Sequence, residues 1–288
     1  MCANVYISEI CGLCYGSNNA ISKTRESLKE NKNIVIYKEI LHNKNVIKEL
    51  ENNGATIKDN LEEISPNDYV IVRAHGEPFS TFEYFENNNI KYLDCTCPNV
   101  KAINHLVKAK EKDGFKIIII GKHNHPEVIG TAGWCNSPFV IEEEKELTNI
   151  DFKNDKYYLV VQTTFSKDKA FELIEKITTL MNKSNKIFEY KNTICNAQKN
   201  INKASEELAS KVDVMIVIGG KNSSNSKELF NNVNNIVKSY FIESPFDIVT
   251  LINENKILKN QKIAITAGES TMKEDILKTK ELIENNLV

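Results

Sequence analysis

The chain has 288 residues, 41% of them hydrophobic and 26% charged, with a formal net charge of −2. That composition fits a globular protein of two or three compact units and excludes global disorder. The near-balance of charge argues against a partner that is nucleic acid or an anionic membrane. The longest aliphatic runs, Ile117–Ile120 and Val214–Ile218, are far too short to span a bilayer. The opening residues MCANVYISEI show no basic stretch before an apolar one. No secretory signal is expected, and a reducing, cytoplasmic location is the default.

In chain order, a strand at Asn4–Ser8 precedes a helix over Asn18–Glu30 and a strand over Asn33–Tyr37. A helix over Lys44–Asn53 leads to strands at Tyr69–Arg73 and Lys91–Asp94. The second round has a helix over Pro98–Lys112, then strands at Phe115–Ile120, Phe139–Ile141 and Tyr157–Gln162. A helix over Ser166–Asn182 and a strand at Ile187–Tyr190 complete it. The third has helices over Ala197–Ser210, Ser226–Val237 and Thr271–Asn286, with strands at Val212–Ile218, Ser239–Ile242 and Lys262–Thr266. The runs KIIIIG and DVMIVIGG are continuously apolar and end at glycine. Such runs suit parallel strands buried on both faces, and strand–helix alternation throughout predicts an α/β fold.

The rounds repeat. Cys14, Cys97 and Cys195 each open a helical segment, and a polar residue of a later turn follows each by 28 positions: His42, His125 and Ser223. A second polar tip closes each round, at Arg73–Glu77, Gln162–Ser166 and Thr266–Thr271. The chain therefore reads as three divergent copies of one α/β unit, over residues 12–96, 97–193 and 194–288. The N-terminal strand within residues 1–11 is expected to join the third. Ligands of open parallel sheets sit beyond the carboxyl ends of the strands, so pseudo-threefold units in a trefoil-like array would aim cysteines and tips at one cavity.

Seven cysteines without a signal segment argue against a disulfide framework. Cys11 and Cys14 form a C-x-x-C, but a thioredoxin-like reading leaves Cys97 and Cys195 unexplained. The repeat selects Cys14, Cys97 and Cys195, and leaves Cys2, Cys11, Cys95 and Cys135 as structural thiols. Three convergent thiolates suit either an iron–sulfur cluster with one open iron or a catalytic zinc, and spacing does not separate the two.

The tips carry groups that bind phosphate. His42, His75 and His125 lie in three strand-end turns, and histidine can change charge with a phosphate partner. The KNSSNS turn offers more polar groups than a helix cap needs, yet it lacks the P-loop pattern. Glu127, following His125-Pro126, would sit among anions, which raises a carboxyl pKa and favours proton donation. Thr163 and Thr164 offer hydroxyls that can hydrogen-bond a substrate hydroxyl, and they equally suit a strand end as β-branched residues.

Taken in order, GLCYG, EILHN, AHG, CTCP, GKHNHPEVIGT, QTT, TIC, KNSSNS and TAGEST resemble the 4-hydroxy-3-methylbut-2-enyl diphosphate reductase family along essentially the whole chain. The resemblance implies a three-unit trefoil around a central 4Fe-4S cluster, held by Cys14, Cys97 and Cys195, with the fourth iron left for the substrate hydroxyl. It implies that His42, His75, His125, Ser223, Ser224, Asn225 and Ser270 face the diphosphate. Glu127 would relay the proton and Thr163 would touch the substrate hydroxyl. The implied reaction is a reductive dehydroxylation giving isopentenyl and dimethylallyl diphosphates in non-mevalonate isoprenoid synthesis. Ferredoxin or flavodoxin would supply the electrons. The sequence departs from the family at Glu269, where a small residue is expected, and at Met272, where proline is. Arg73 stands where some members carry a smaller residue. A cluster-bearing redox sensor and a zinc phosphate-ester hydrolase are the alternative functions.

Overall fold

Twelve parallel strands in three sheets organise the computed structural model, which describes residues 4–30, 33–40, 44–221 and 223–287, apart from the side chains of residues 44, 45 and 224. Contacts divide the chain into two compact units. One comprises Met1–Asn18 with Asn196–Val288, and the other Asn19–Cys195.

The first unit holds one sheet. β1 (Asn4–Ile7) pairs with β12 (Lys262–Ala267), which pairs with β10 (Val214–Ile218), which pairs with β11 (Ser239–Ile242). The helices are α7 (Ala197–Ala209), α8 (Ser224–Asn234), α9 (Asp247–Asn253) and α10 (Lys273–Asn286). Every residue of β10 is buried. Side chains alternate between the faces of a strand, so Val214, Ile216 and Ile218 join one core while Met215 and Val217 join another.

The second unit holds two sheets. The first has the order β3 (Thr56–Lys58), β2 (Ile34–Tyr37), β4 (Tyr69–Val72), β5 (Lys91–Asp94). The other has the order β7 (Phe139–Ile141), β6 (Lys116–Ile120), β8 (Lys156–Val161), β9 (Ile187–Lys191). Its helices are α2 (Lys44–Asn52), α3 (Phe79–Asn87), α4 (Pro98–Lys112), α5 (Pro126–Ala132) and α6 (Lys167–Lys183); α1 (Tyr15–Glu30) begins in the first unit and continues here. In β6, Ile118 and Ile120 pack into one core and Ile117 and Ile119 into the opposite one. Fully burying each such side chain contributes about 1.5–3 kcal/mol, which is why the four consecutive isoleucines of KIIII suit a central strand.

All three sheets share one strand order. The strand after a cysteine-headed helix is flanked by a short edge strand on one side and by two later strands on the other. In the first unit the fourth place is taken by β1. The α/β, parallel-sheet class expected from the sequence is what the structure shows. Differences from the expected elements lie in short pieces. β3 has three residues, too few for a period to register, while α5 and α9 have seven each. The aromatic FSTFEYFEN favours strands by composition yet forms α3, burying Phe82 and Phe85. Thr131 lies in the last turn of α5, with its hydroxyl donating to Asn104 Oδ1 at 2.9 Å.

Candidate active site

In the second unit the site grows from the ends of β4, β6 and β8. After β6 the chain turns at Gly121, where a Cβ would lie 2.6 Å from Val128 Cγ2 and 2.9 Å from Gln162 Cβ. Only glycine lets the turn close that tightly. Pro126 takes the first position of α5, where its missing N–H costs nothing. His125 caps the helix, its Nδ1 accepting from the Glu127 N–H at 3.2 Å. An accepting Nδ1 carries no proton, so the neutral ring is protonated at Nε2.

Glu127 is 3% exposed and shares a small pocket with Ile103, Ile119, Val128 and Val160. Its carboxyl is gripped by one residue: Thr163 N–H donates to Oε1 at 2.6 Å, and Thr163 Oγ1 lies 2.5 Å from Oε2. Burial pushes the Glu127 pKa up, against the opposing pull of the two Thr163 hydrogen bonds. Because Oε1 already accepts a backbone N–H, a proton on this carboxyl belongs on Oε2, facing the Thr163 hydroxyl. That hydroxyl can accept from Oε2 and donate onward, which is the geometry of a two-step relay.

Thr163 also joins the relay to a cysteine, since its carbonyl accepts from Cys195 N–H at 2.7 Å. Cys97 caps α4, its carbonyl accepting from Lys101 N–H at 2.9 Å, and its own N–H donates to the Ala74 carbonyl at 2.9 Å. Asn99, in the first turn of α4, lies with Nδ2 3.6 Å from Cys195 Sγ. The α4 N-terminus that Cys97 heads therefore reaches Cys195. His75 stands edge-on to His125 with ring centroids 5.5 Å apart. Its loop is fastened to α5, as Trp134 Nε1 donates to the Glu77 carbonyl at 3.0 Å. Buried Glu77 accepts from Arg73 Nε at 2.7 Å and pairs with Lys38 Nζ at 3.0 Å, so Arg73 serves this loop.

The first unit supplies a second polar cluster, at the ends of β10 and β12. Ser223 caps α8, its Oγ accepting from Ser226 N–H at 3.2 Å. Ser226 is completely buried against Gly268, where a Cβ would lie 2.1 Å from its Oγ. Asn225 donates from Nδ2 to Glu269 Oε2 at 3.1 Å. Ser270 follows, half-buried. Cys14 immediately precedes α1, with its carbonyl accepting from Asn18 N–H at 2.9 Å and its Sγ 3.4 Å from Ser17 Oγ.

The cysteines sort by environment. Cys14, Cys97 and Cys195 are part-exposed at or beside helix starts. Burial pushes Cys11 and Cys95 up to about 11 and Cys135 up to about 12, so these three stay protonated. Cys11 and Cys135 spend their S–H on backbone carbonyls. Among the described residues, no three or more His, Cys, Asp or Glu gather into a group able to hold a metal ion. His42 and Cys2 lie outside the described residues, as does the side chain of Ser224. Asn99 is the one candidate that sequence reading missed; its only signal is a polar residue two positions past Cys97. No helix among the described residues is long and apolar enough to cross a membrane.

Comparison with known proteins identifies the family. The chain matches the family described as LytB protein over residues 5–284. It is 33% identical to 4-hydroxy-3-methylbut-2-enyl diphosphate reductase of Clostridioides difficile, over 93% of this chain and 94% of the relative. It is 36% identical to the enzyme of that name from Caldanaerobacter subterraneus subsp. tengcongensis, over 93% and 92%. Among solved structures, that of (E)-4-hydroxy-3-methyl-but-2-enyl diphosphate reductase, the terminal enzyme of the non-mevalonate pathway, superposes with a TM-score of 0.83 at 32% identity. It covers 98% of this chain and 99% of the neighbour. The chain belongs to the LytB family of reductases and is an oxidoreductase.

Proposed function

We propose that the chain reduces (E)-4-hydroxy-3-methylbut-2-enyl diphosphate to isopentenyl and dimethylallyl diphosphates, releasing the hydroxyl as water. Two electrons and two protons balance the step: the C–O bond breaks, one proton leaves with the oxygen and one ends on carbon. The observation that carries this reading is the buried Glu127–Thr163 pair, a carboxyl held for proton transfer and hydrogen-bonded through Thr163 to the backbone of Cys195.

The donor set fits a soft metal centre, since the part-exposed thiols at helix starts are the three that the repeat selects. In this reading Cys14, Cys97 and Cys195 hold a 4Fe-4S cluster, one ligand from each of three units over 12–96, 97–193 and 194–288 with strand 1–11. When bound, the cluster supplies electrons and the Lewis acidity that departure of hydroxide requires. Ferredoxin or flavodoxin is the electron source. Thr163 Oγ1 orients the substrate hydroxyl, and Glu127 Oε2 sends it a proton. His42, His75, His125, Ser223, Ser224, Asn225 and Ser270 take the diphosphate, which fixes the allyl group and contributes positioning. His125 serves twice, because its Nδ1 also anchors the Glu127 backbone.

The test is turnover of the allylic diphosphate with a reduced viologen dye in oxygen-free protein. Both five-carbon diphosphates should form, and Glu127→Gln should abolish their formation. A wild-type protein that hydrolyses the phosphate ester, or leaves the alcohol untouched, would overturn the reading.

A further inference from the structure

The polar cluster of the first unit contains a carboxyl where an anion is to bind. Glu269 follows Gly268 at the end of β12, and its Oε2 accepts from Asn225 Nδ2 at 3.1 Å. Asn225 lies in the first turn of α8, beside the Ser223 cap. A free carboxylate next to a diphosphate costs Coulomb energy and takes a donor that the phosphate needs.

We infer that Glu269 makes anion binding at this cradle proton-linked: its carboxyl and the substrate diphosphate compete for the Asn225 amide, so the site takes up a proton when the diphosphate binds. The inference rests on the diphosphate-cradle reading given above. The protonated acid repels nothing and gains an O–H donor for a phosphate oxygen, whereas the ionised form repels the ligand and holds the amide.

The surrounding charges leave this role to Glu269. Lys221, at the end of β10, is turned to Glu243, with Nζ 2.9 Å from Oε2. On α8, Glu228 accepts from Asn202 Nδ2 at 3.2 Å. On α10, the Asp275 carboxyl is pushed up by burial and by Glu274. Burial raises the Glu269 pKa and the Asn225 hydrogen bond lowers it, with no cation entering the balance. The carboxyl therefore protonates at less cost than an exposed one.

Calorimetric titration of oxygen-free protein with inorganic diphosphate, in buffers of different ionisation enthalpy, counts the protons taken up. Histidines and the ligand itself also titrate, so the quantity read is wild type minus Glu269→Gln, with Glu269→Ala as a second variant. Wild type should take up as much as one proton more than either variant near pH 7.5. Its KM for the allylic diphosphate should rise more steeply with pH than theirs, approaching about tenfold per unit above the Glu269 pKa. Equal proton counts and parallel KM profiles would overturn the role of Glu269 while leaving the cradle intact. Failure of inorganic diphosphate to bind wild type would overturn the cradle reading and this inference together.

Discussion

The two polar clusters differ in how they are held. In the second unit, Glu127 is buried among aliphatic side chains and both its oxygens are gripped by Thr163. In the first, Asn225, Glu269 and Ser270 are half-buried, and one 3.1 Å contact joins the carboxyl to the amide. A dry, doubly held carboxyl suits moving a proton at a fixed atom. A wetter array of neutral donors suits taking an anion that arrives with its water shell. Chemistry and recognition thus have separate physical requirements, and substitutions should separate them.

The largest effect is expected at the thiols. Cys97→Ala or Cys195→Ala should abolish turnover and lower bound iron, whereas Cys135→Ala should keep both and cost about 1 kcal/mol of stability. Next comes Glu127→Gln, which preserves both contacts to Thr163 but carries no transferable proton. Its kcat should fall by about 10²–10⁴-fold. Its stability should change with pH in a definite direction. The folded-state pKa of Glu127 is raised, so its contribution is complete below the ordinary carboxylate pKa and is lost as pH rises through the folded value. Denaturant melts of wild type and Glu127→Gln should therefore diverge in the variant's favour from pH 4 to pH 8. Constant spacing of the two curves would contradict the buried-acid account.

Smaller effects are expected in the first unit. Gly268→Ala would drive a methyl into Ser226 and should cost about 1–3 kcal/mol, read as a lowered melting temperature. Ser223→Ala removes the α8 cap, costing about 1 kcal/mol, and should raise KM more than it lowers kcat. An effect of Ser223→Ala confined to kcat would blur the contrast between the clusters.

Much of this was legible in the sequence because it rests on local pattern. KIIII and VMIVI announce central strands, and equal spacing from three cysteines to three polar turns announces the repeat. The resemblance pointed to Glu127 and Thr163, but not to the bidentate grip, which depends on where the first turn of α5 meets the end of β8, 36 residues apart in sequence. Nor was the direction of Glu269 legible. The sequence marks Glu269 only as a departure from the family, and the structure turns its carboxyl to the Asn225 amide. Arg73 was equally opaque, since its partner Glu77 lies on the same loop and reads as surface charge until its burial is seen.

The proposed redox cluster would be held by the part-exposed thiols of Cys14, Cys97 and Cys195. Its most direct test is the iron and acid-labile sulfide content of the protein prepared without oxygen. About four of each per chain, in a brown preparation whose visible absorption fades in air, is the predicted result. A colourless preparation carrying one zinc per chain would contradict it.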